Sequence, residues 1–340
     1  MLNQARVLAV ALAGTLAAAA VAAPASAART GTPAGIMRPD STYQLVTEPD
    51  DGLAPIYDLI DSATTTLDMT MYELTDTTAE QHLADAAARG VTVRVILDQN
   101  REKSHNTTAY DYLDQHGVQM HWAWDTYEAT HQKTITVDGT TSAIMSGNLT
   151  SQYYATSRDF AVIENNSYDV RAIEKTFAAD FTDTAFTPTD GDNLVWSPTD
   201  SEQQILPIIT NATTSLSVEN EEMAYPEVTD ALAAAAKRGV NVEITMTNDA
   251  NDYAAEFDTL TAAGAHVHTY AYTASRYIHA KVIVADKGTD AEVVDVGSQN
   301  FSDASWNHNR ELGVISTNSG LIDGIDTAVA TDYAGGTPWS

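Results

Sequence analysis

Hydrophobic and polar positions along the chain spell out one order of elements twice. Between Asp50 and Ala63, the residues Leu53, Ile56, Leu59 and Ile60 recur at helical spacing. Thr66 to Tyr72 reads as a strand, and the capping-box pattern at Thr77 to Glu80 opens a helix that stops at Gly90. Val91 to Leu97 alternates as a strand does. A short helix at Tyr110 to His116 follows, then a strand from Val118 to Trp124 and another through His131. A turn at Asp138-Gly139, strands at Ser142 to Ser146 and Arg158 to Glu164, and a helix from Val170 to Phe181 complete the unit. Ala185 to Asp200 holds Pro188, Gly191 and Pro198 with little periodicity, and reads as a linker. Beyond it come a helix from Glu202 to Ala212, a strand from Ser215 to Glu219, and a helix that starts at Pro226 and ends at Gly239.

The two units also match in residue identity. Leu-Ala-Asp-Ala-Ala-Ala-Arg-Gly-Val-Thr-Val at 83–93 pairs with Leu-Ala-Ala-Ala-Ala-Lys-Arg-Gly-Val-Asn-Val at 232–242, an offset of 149. His131 and His279 match at 148, and Arg158-Asp159 and Arg310-Glu311 at 152, the second hairpin being longer around Lys287. Shared landmarks in one order mark an internal duplication, and strands alternating with helices imply an α/β fold. The expected divisions are a first lobe at 43–184, the linker at 185–200 and a second lobe at 201–340.

Composition narrows the class. The chain has 340 residues, enough for two domains, and its 44% hydrophobic and 19% charged content is that of a globular protein. The net charge of −30, from 47 acidic and 17 basic residues, opposes non-specific nucleic-acid binding. There is no cysteine. The apolar run from Val7 to Ala23, ending in Ala25-Ser26-Ala27, reads as a signal peptide over 1–27, followed by a flexible N-terminus at 28–42. The expectation is a secreted protein with no membrane span after cleavage.

Candidate chemistry lies in the repeat. His131, Lys133, Asp138, Ser146 and Asn148 reappear as His279, Lys281, Asp286, Ser298 and Asn300. On a strand, residues two apart share a face, so each His-x-Lys would present an imidazole and an ammonium together. One imidazole can attack phosphorus while the other protonates the leaving oxygen and then deprotonates the incoming water or alcohol. Lys133, Lys281, Asn148 and Asn300 would stabilise charge on the non-bridging oxygens. Asp159 and Glu311 recur at equivalent places and are the candidates for orienting the rings; the competing reading is a salt bridge with Arg158 or Arg310. Nothing in this scheme requires a metal or other cofactor. His266 and His268 lack companions with ligand spacing and read as a solvated edge strand.

These residues resemble the phospholipase D superfamily, whose signature is His-x-Lys-x4-Asp-x6-Gly-Ser-x-Asn, over about residues 43–335. The resemblance implies two similar α/β/α lobes about a pseudo-twofold axis, each with a central mixed sheet flanked by helices, and an active site at the lobe interface. It implies a covalent histidine intermediate, with His131 as nucleophile and His279 as acid/base. Asp138 and Asp286 read as turn and ion-pair residues, and Ser146 and Ser298 as supporting ones. Met145 stands where the first motif expects Gly, and a side chain there would narrow or reshape the pocket beside Ser146.

The expected function is that of a secreted phospholipase D acting on a phospholipid such as phosphatidylcholine at a membrane or vesicle surface, by hydrolysis or by transfer to another alcohol. Aromatic segments before the motifs name Trp124 and Tyr272 as substrate-binding candidates, with core packing as the plainer alternative. Glu73 and Glu222, matched at offset 149, read either as headgroup ligands or as plain exposed carboxylates. A secreted nuclease of the same superfamily and a weakly active lobe pair binding phosphate or lipid are the other readings. No stable nucleic-acid binding is expected, and the duplication lets a monomer hold a complete site.

Overall fold

The computed structural model describes residues 42–248 and 250–340. The expected signal peptide, and all of the expected flexible N-terminus except Thr42, lie outside the described residues.

The first lobe runs β1 (Tyr43–Glu48), α1 (Ala54–Asp61), β2 (Thr66–Met71), α2 (Thr77–Ala88), β3 (Thr92–Leu97), α3 (Lys103–Gln115), β4 (Gln119–Trp122), β5 (Thr134–Val137), β6 (Thr141–Met145), β7 (Ser157–Glu164) and α4 (Ser167–Asp180). The second runs β8 (Leu194–Ser197), α5 (Ser201–Asn211), β9 (Ser215–Glu219), α6 (Pro226–Arg238), β10 (Asn241–Asn248), α7 (Ala254–Ala263), β11 (His266–Ala271), β12 (Tyr277–Ile278), β13 (Val282–Ala285), β14 (Val293–Gly297), α8 (Asp303–Asn307), β15 (Glu311–Ser316), α9 (Ser319–Gly335) and β16 (Thr337–Pro338).

The sheets have the same order. In the first it is β1-β7-β6-β5-β2-β3-β4, and in the second β8-β15-β14-β13-β9-β10-β11, with β16 beyond β11. Along these orders, the three strands joined through helices are parallel, β2-β3-β4 and β9-β10-β11, and the other neighbours are antiparallel, while β12 adds to β7 in parallel. Each sheet is therefore mixed and flanked by helices, as two α/β lobes require.

Local signals explain most elements and correct some expectations. Asp76, not Thr77, caps α2, its carboxylate accepting from the Thr78 N–H. Gly239 ends α6 at φ 92°, a conformation that costs glycine little. The helix expected at Tyr110 begins earlier, at Lys103. Residues 194–197, inside the expected linker, form β8, which pairs antiparallel with β15 as β1 does with β7. Four residues carry too little periodicity to announce a strand. The expected edge strand at His266 and His268 is covered by β16, and His268 Nδ1 lies 2.7 Å from the Tyr333 carbonyl.

Each lobe has an outer core between its sheet and helices: Ile56, Leu67, Met69, Leu83 and Val95 in the first, Ile205, Val218, Leu232, Ile244 and Phe257 in the second. A third core joins the inner sheet faces, with Ile144, Phe160 and Val162 packed among Val282, Val294, Val296, Leu312 and Val314. Burying such side chains contributes roughly 1.5–3 kcal/mol each, so the interface is held by apolar area as well as by its charges. Strand β12 also pairs with β7 of the other lobe, and Thr130 bridges to Arg310.

Candidate active site

Neither His-x-Lys tripeptide lies in a strand. His131 to Lys133 precede β5, and His279 to Lys281 stand between β12 and β13. Both tripeptides are fixed by the opposite lobe. The His131 N–H donates to the Arg310 carbonyl at 2.9 Å, and the His279 N–H to the Arg158 carbonyl at 3.2 Å.

Side chains cross in the same way. His131 Nδ1 lies 2.8 Å from Glu311 Oε2, and His279 Nδ1 lies 2.7 Å from Asp159 Oδ1. Each histidine is thus oriented by the carboxylate of the other lobe. The competing salt bridges do not form in the way expected. Arg158 pairs with Asp332 on α9, and Arg310 Nη2 donates to Asp180 on α4 at 3.0 Å, again across the lobes.

Hydroxyls and an amide hold the two carboxylates. Ser146 donates to Asp159 Oδ1 at 2.7 Å and Ser157 to Oδ2 at 2.9 Å. Ser305 donates to Glu311 Oε1 at 2.5 Å and Asn309 at 3.1 Å. Ser157 and Asn309 occupy equivalent places two residues before each carboxylate. Ser298 accepts from the Leu312 N–H at 3.1 Å.

Electrostatics separate the two halves. Burial pushes His131 below the ordinary imidazole range, against the opposing pull of Glu311. Burial also brings Lys133 down to about 7, with the nearby Lys281 ammonium adding to the effect. Burial raises Asp159 and Glu311, but His279 with Lys281 and Ser146, and His131 with Lys133 and Ser298, respectively, together outweigh it and hold both carboxyls below their usual range. Lys133 Nζ donates to the His131 carbonyl at 2.6 Å, and Lys281 Nζ donates to the His279 carbonyl and to Glu221 Oε2, the latter at 3.1 Å. Asn148 and Asn300 line the cleft, each with a buried amide oxygen that has no hydrogen-bond partner.

Asp138 and Asp286 are turn residues at φ 52° and 51°. Their partners are not cations, as expected, but N–H and hydroxyl groups: Thr64, Thr65 and Thr66 for the first, Thr213, Thr214 and Ser215 for the second. They anchor the hairpin behind each tripeptide. Met145 does not narrow the substrate cleft. It packs in the first lobe's core and lines a separate cavity of about 20 Å³ behind Asp159. In the second lobe a Cβ on Gly297 would meet Gly313 Cα at 2.4 Å and Gln299 Oε1 at 2.6 Å. The first lobe has Gly147 in place of Gln299, so the side-chain part of that obstruction is absent there, and Met145 pairs with Ala161 rather than with a glycine.

A cleft of about 550 Å³ opens over His131, His279, Asn148 and Asn300. Its walls include Tyr72, Glu73, Tyr153, Tyr154, Glu221, Glu222, Tyr272 and Tyr277. Trp124 is not in this lining; it stands edge-on to Tyr127, with centroids 6.3 Å apart. Glu221 and Tyr72, absent from the expected site, both touch the His-x-Lys side chains, Glu221 at Lys281 and Tyr72 at His131. Among the described residues, Glu73, Glu102 and His105 form one group whose ligand atoms lie within 4.8 Å of one another; it includes neither motif histidine.

The family described as "Cardiolipin synthase, PLD-like domain" matches this chain twice, over residues 56–181 and 205–332. The chain belongs to the phospholipase D-like superfamily. Both matches span one complete His-x-Lys and Ser-x-Asn set, in agreement with the duplication. No curated protein matches the chain. Among solved structures, phosphatidylserine synthase from Haemophilus influenzae is similar in fold over 85% of each chain, at 12% identity and a TM-score of 0.66. Polyphosphate kinase from Porphyromonas gingivalis is similar over 86% of this chain and 50% of its own, at 13% identity and a TM-score of 0.67. The chain therefore spans half the length of that kinase.

Proposed function

We propose that the protein is a secreted phospholipase D that hydrolyses the distal phosphodiester of glycerophospholipids such as phosphatidylcholine, releasing phosphatidic acid and the headgroup alcohol. The observation that carries this reading is the cleft itself. Crossed histidine–carboxylate pairs form its floor, and its walls are tyrosines and carboxylates rather than lysines and arginines. Such walls repel a nucleic-acid backbone and suit a diester whose headgroup carries a positive charge. The apolar run before Ala25-Ser26-Ala27 supports export.

In the first step His131 Nε2 attacks phosphorus, with Nδ1 held by Glu311. The bond from phosphorus to the headgroup oxygen breaks, and His279 passes its Nε2 proton to that oxygen. The lowered proton affinity of His131 supports the nucleophile's role, because only the neutral ring attacks. In the second step His279 Nε2 takes a proton from water. The water oxygen bonds to phosphorus, the P–N bond breaks, and phosphatidic acid leaves. An alcohol in place of water gives a new diester by the same step. Lys133, Lys281, Asn148 and Asn300 stabilise the charge that builds on the non-bridging oxygens.

The test is a side-by-side assay on phosphatidylcholine vesicles and single-stranded DNA with a chelator present. Choline release without DNA cleavage is the expected result. DNA cleavage without choline release would replace this reading with that of a nuclease, and loss of choline release on chelation would contradict the metal-free scheme.

A further inference from the structure

The two halves of the site differ beside their His-x-Lys pairs. Tyr72 and Glu221 occupy equivalent positions, at the offset of 149, just after β2 and β9. In the first lobe the Tyr72 ring stands edge-on to His131, with centroids 4.6 Å apart, and Lys133 Nζ lies 5.0 Å from its centroid. The second lobe has a carboxylate there. Glu221 Oε2 lies 3.1 Å from Lys281 Nζ, 3.4 Å from His279 Nε2 and 3.4 Å from Asn300 Nδ2, and Oε1 accepts from the Tyr277 hydroxyl at 2.9 Å.

Lysine, histidine and asparagine nitrogens are the donors that a bound phosphate would use. Glu221 therefore stands where a phosphate oxygen would bind. Asp159 and Glu311 are each engaged by a histidine, whereas Glu221 lies directly against Lys281, His279 and Asn300, the donors that would face a bound anion. A carboxylate so placed repels a doubly charged anion more strongly than a singly charged one. A phosphodiester carries one charge; a phosphate monoester or inorganic phosphate carries close to two at pH 8. In a site mostly removed from water, the second charge meets the carboxylate with little screening.

We propose that Glu221 is a specificity-determining residue that reserves the site for singly charged phosphodiesters and disfavours doubly charged phosphates, including the monoester product of the reaction. This rests on the phosphodiester reading above and deepens it. Cleavage turns a monoanion into a dianion, so the same carboxylate that admits the substrate speeds departure of the product.

Calorimetric titration tests this without turnover. At pH 8 the unaltered protein should bind dimethyl phosphate at least as tightly as inorganic phosphate. Glu221→Gln should tighten inorganic phosphate about tenfold or more while changing dimethyl phosphate far less, and Glu221→Asp, which keeps the charge, should leave phosphate weak. Inorganic phosphate binding the unaltered protein about tenfold more tightly than the diester would overturn the proposal whether or not a variant folds. Equal tightening by Gln and Asp would overturn it too, since space rather than charge would then be responsible. A protein that binds both anions as expected yet releases no choline keeps the role of Glu221 and loses only the phospholipase reading.

Discussion

His131 Nδ1 lies 2.8 Å from Glu311 Oε2, although 180 residues separate them and they belong to different lobes. The reciprocal pair, His279 and Asp159, is 120 residues apart and closes at 2.7 Å. Neither lobe therefore contains a complete histidine–carboxylate unit. Duplication has produced one site built from two incomplete halves, and the crossed Arg158–Asp332 and Arg310–Asp180 pairs lock the halves in register.

Removing either carboxylate should cost rate rather than binding, because it frees a ring that binding alone does not hold. Glu311→Gln and Asp159→Asn are each expected to lower kcat by about 10²–10⁴-fold with little change in KM. Steady-state kinetics on a soluble phosphodiester checks this. A loss confined to KM would mean that the carboxylates position substrate instead.

The acidic limb of the kcat/KM profile should report His131, which must be neutral to attack. Burial holds it below the ordinary value of about 6.5, so activity should persist to more acidic pH than an exposed histidine allows. Glu311 opposes that burial by favouring the protonated ring. In Glu311→Gln the bend should therefore move further toward acid. A bend that moves toward alkali would contradict the assignment.

Met145 tests whether the departure from the motif touches function. Its side chain is in the core, so Met145→Ala should destabilise the fold by about 2–5 kcal/mol and leave kcat per folded molecule unchanged. Denaturant unfolding and kinetics on the same sample separate the two effects. A fall in kcat with stability intact would return Met145 to the substrate pocket.

Much of the fold was legible because each lobe uses strongly periodic elements in the same order. β9 and α6 appear at the residues where apolar spacing and Pro226 place them. β8 was not legible, since Leu194 to Ser197 lie among prolines and glycines and gain their pairing only from β15. The cleft's histidines, lysines and asparagines were legible as a doubled motif. The crossing of their partners was not, because equal spacing within each lobe is the same whether the carboxylate serves its own lobe or the other. Glu221 was not legible from the repeat, because this carboxylate stands where the first lobe has Tyr72. A break in the repeat at the end of a central strand was the available signal.

The central claim is that both histidines serve one phosphodiester, with His131 taking the phosphorus. Bis(p-nitrophenyl) phosphate tests it directly, since its leaving group departs without a proton. His279→Ala should release about one equivalent of nitrophenol per chain in a burst and leave a phosphoryl ester on His131, found by mass spectrometry after alkaline quench. His131→Ala should give neither burst nor adduct. Phosphorus on His279 in the His131→Ala protein, or sustained turnover by either variant, would contradict the shared site.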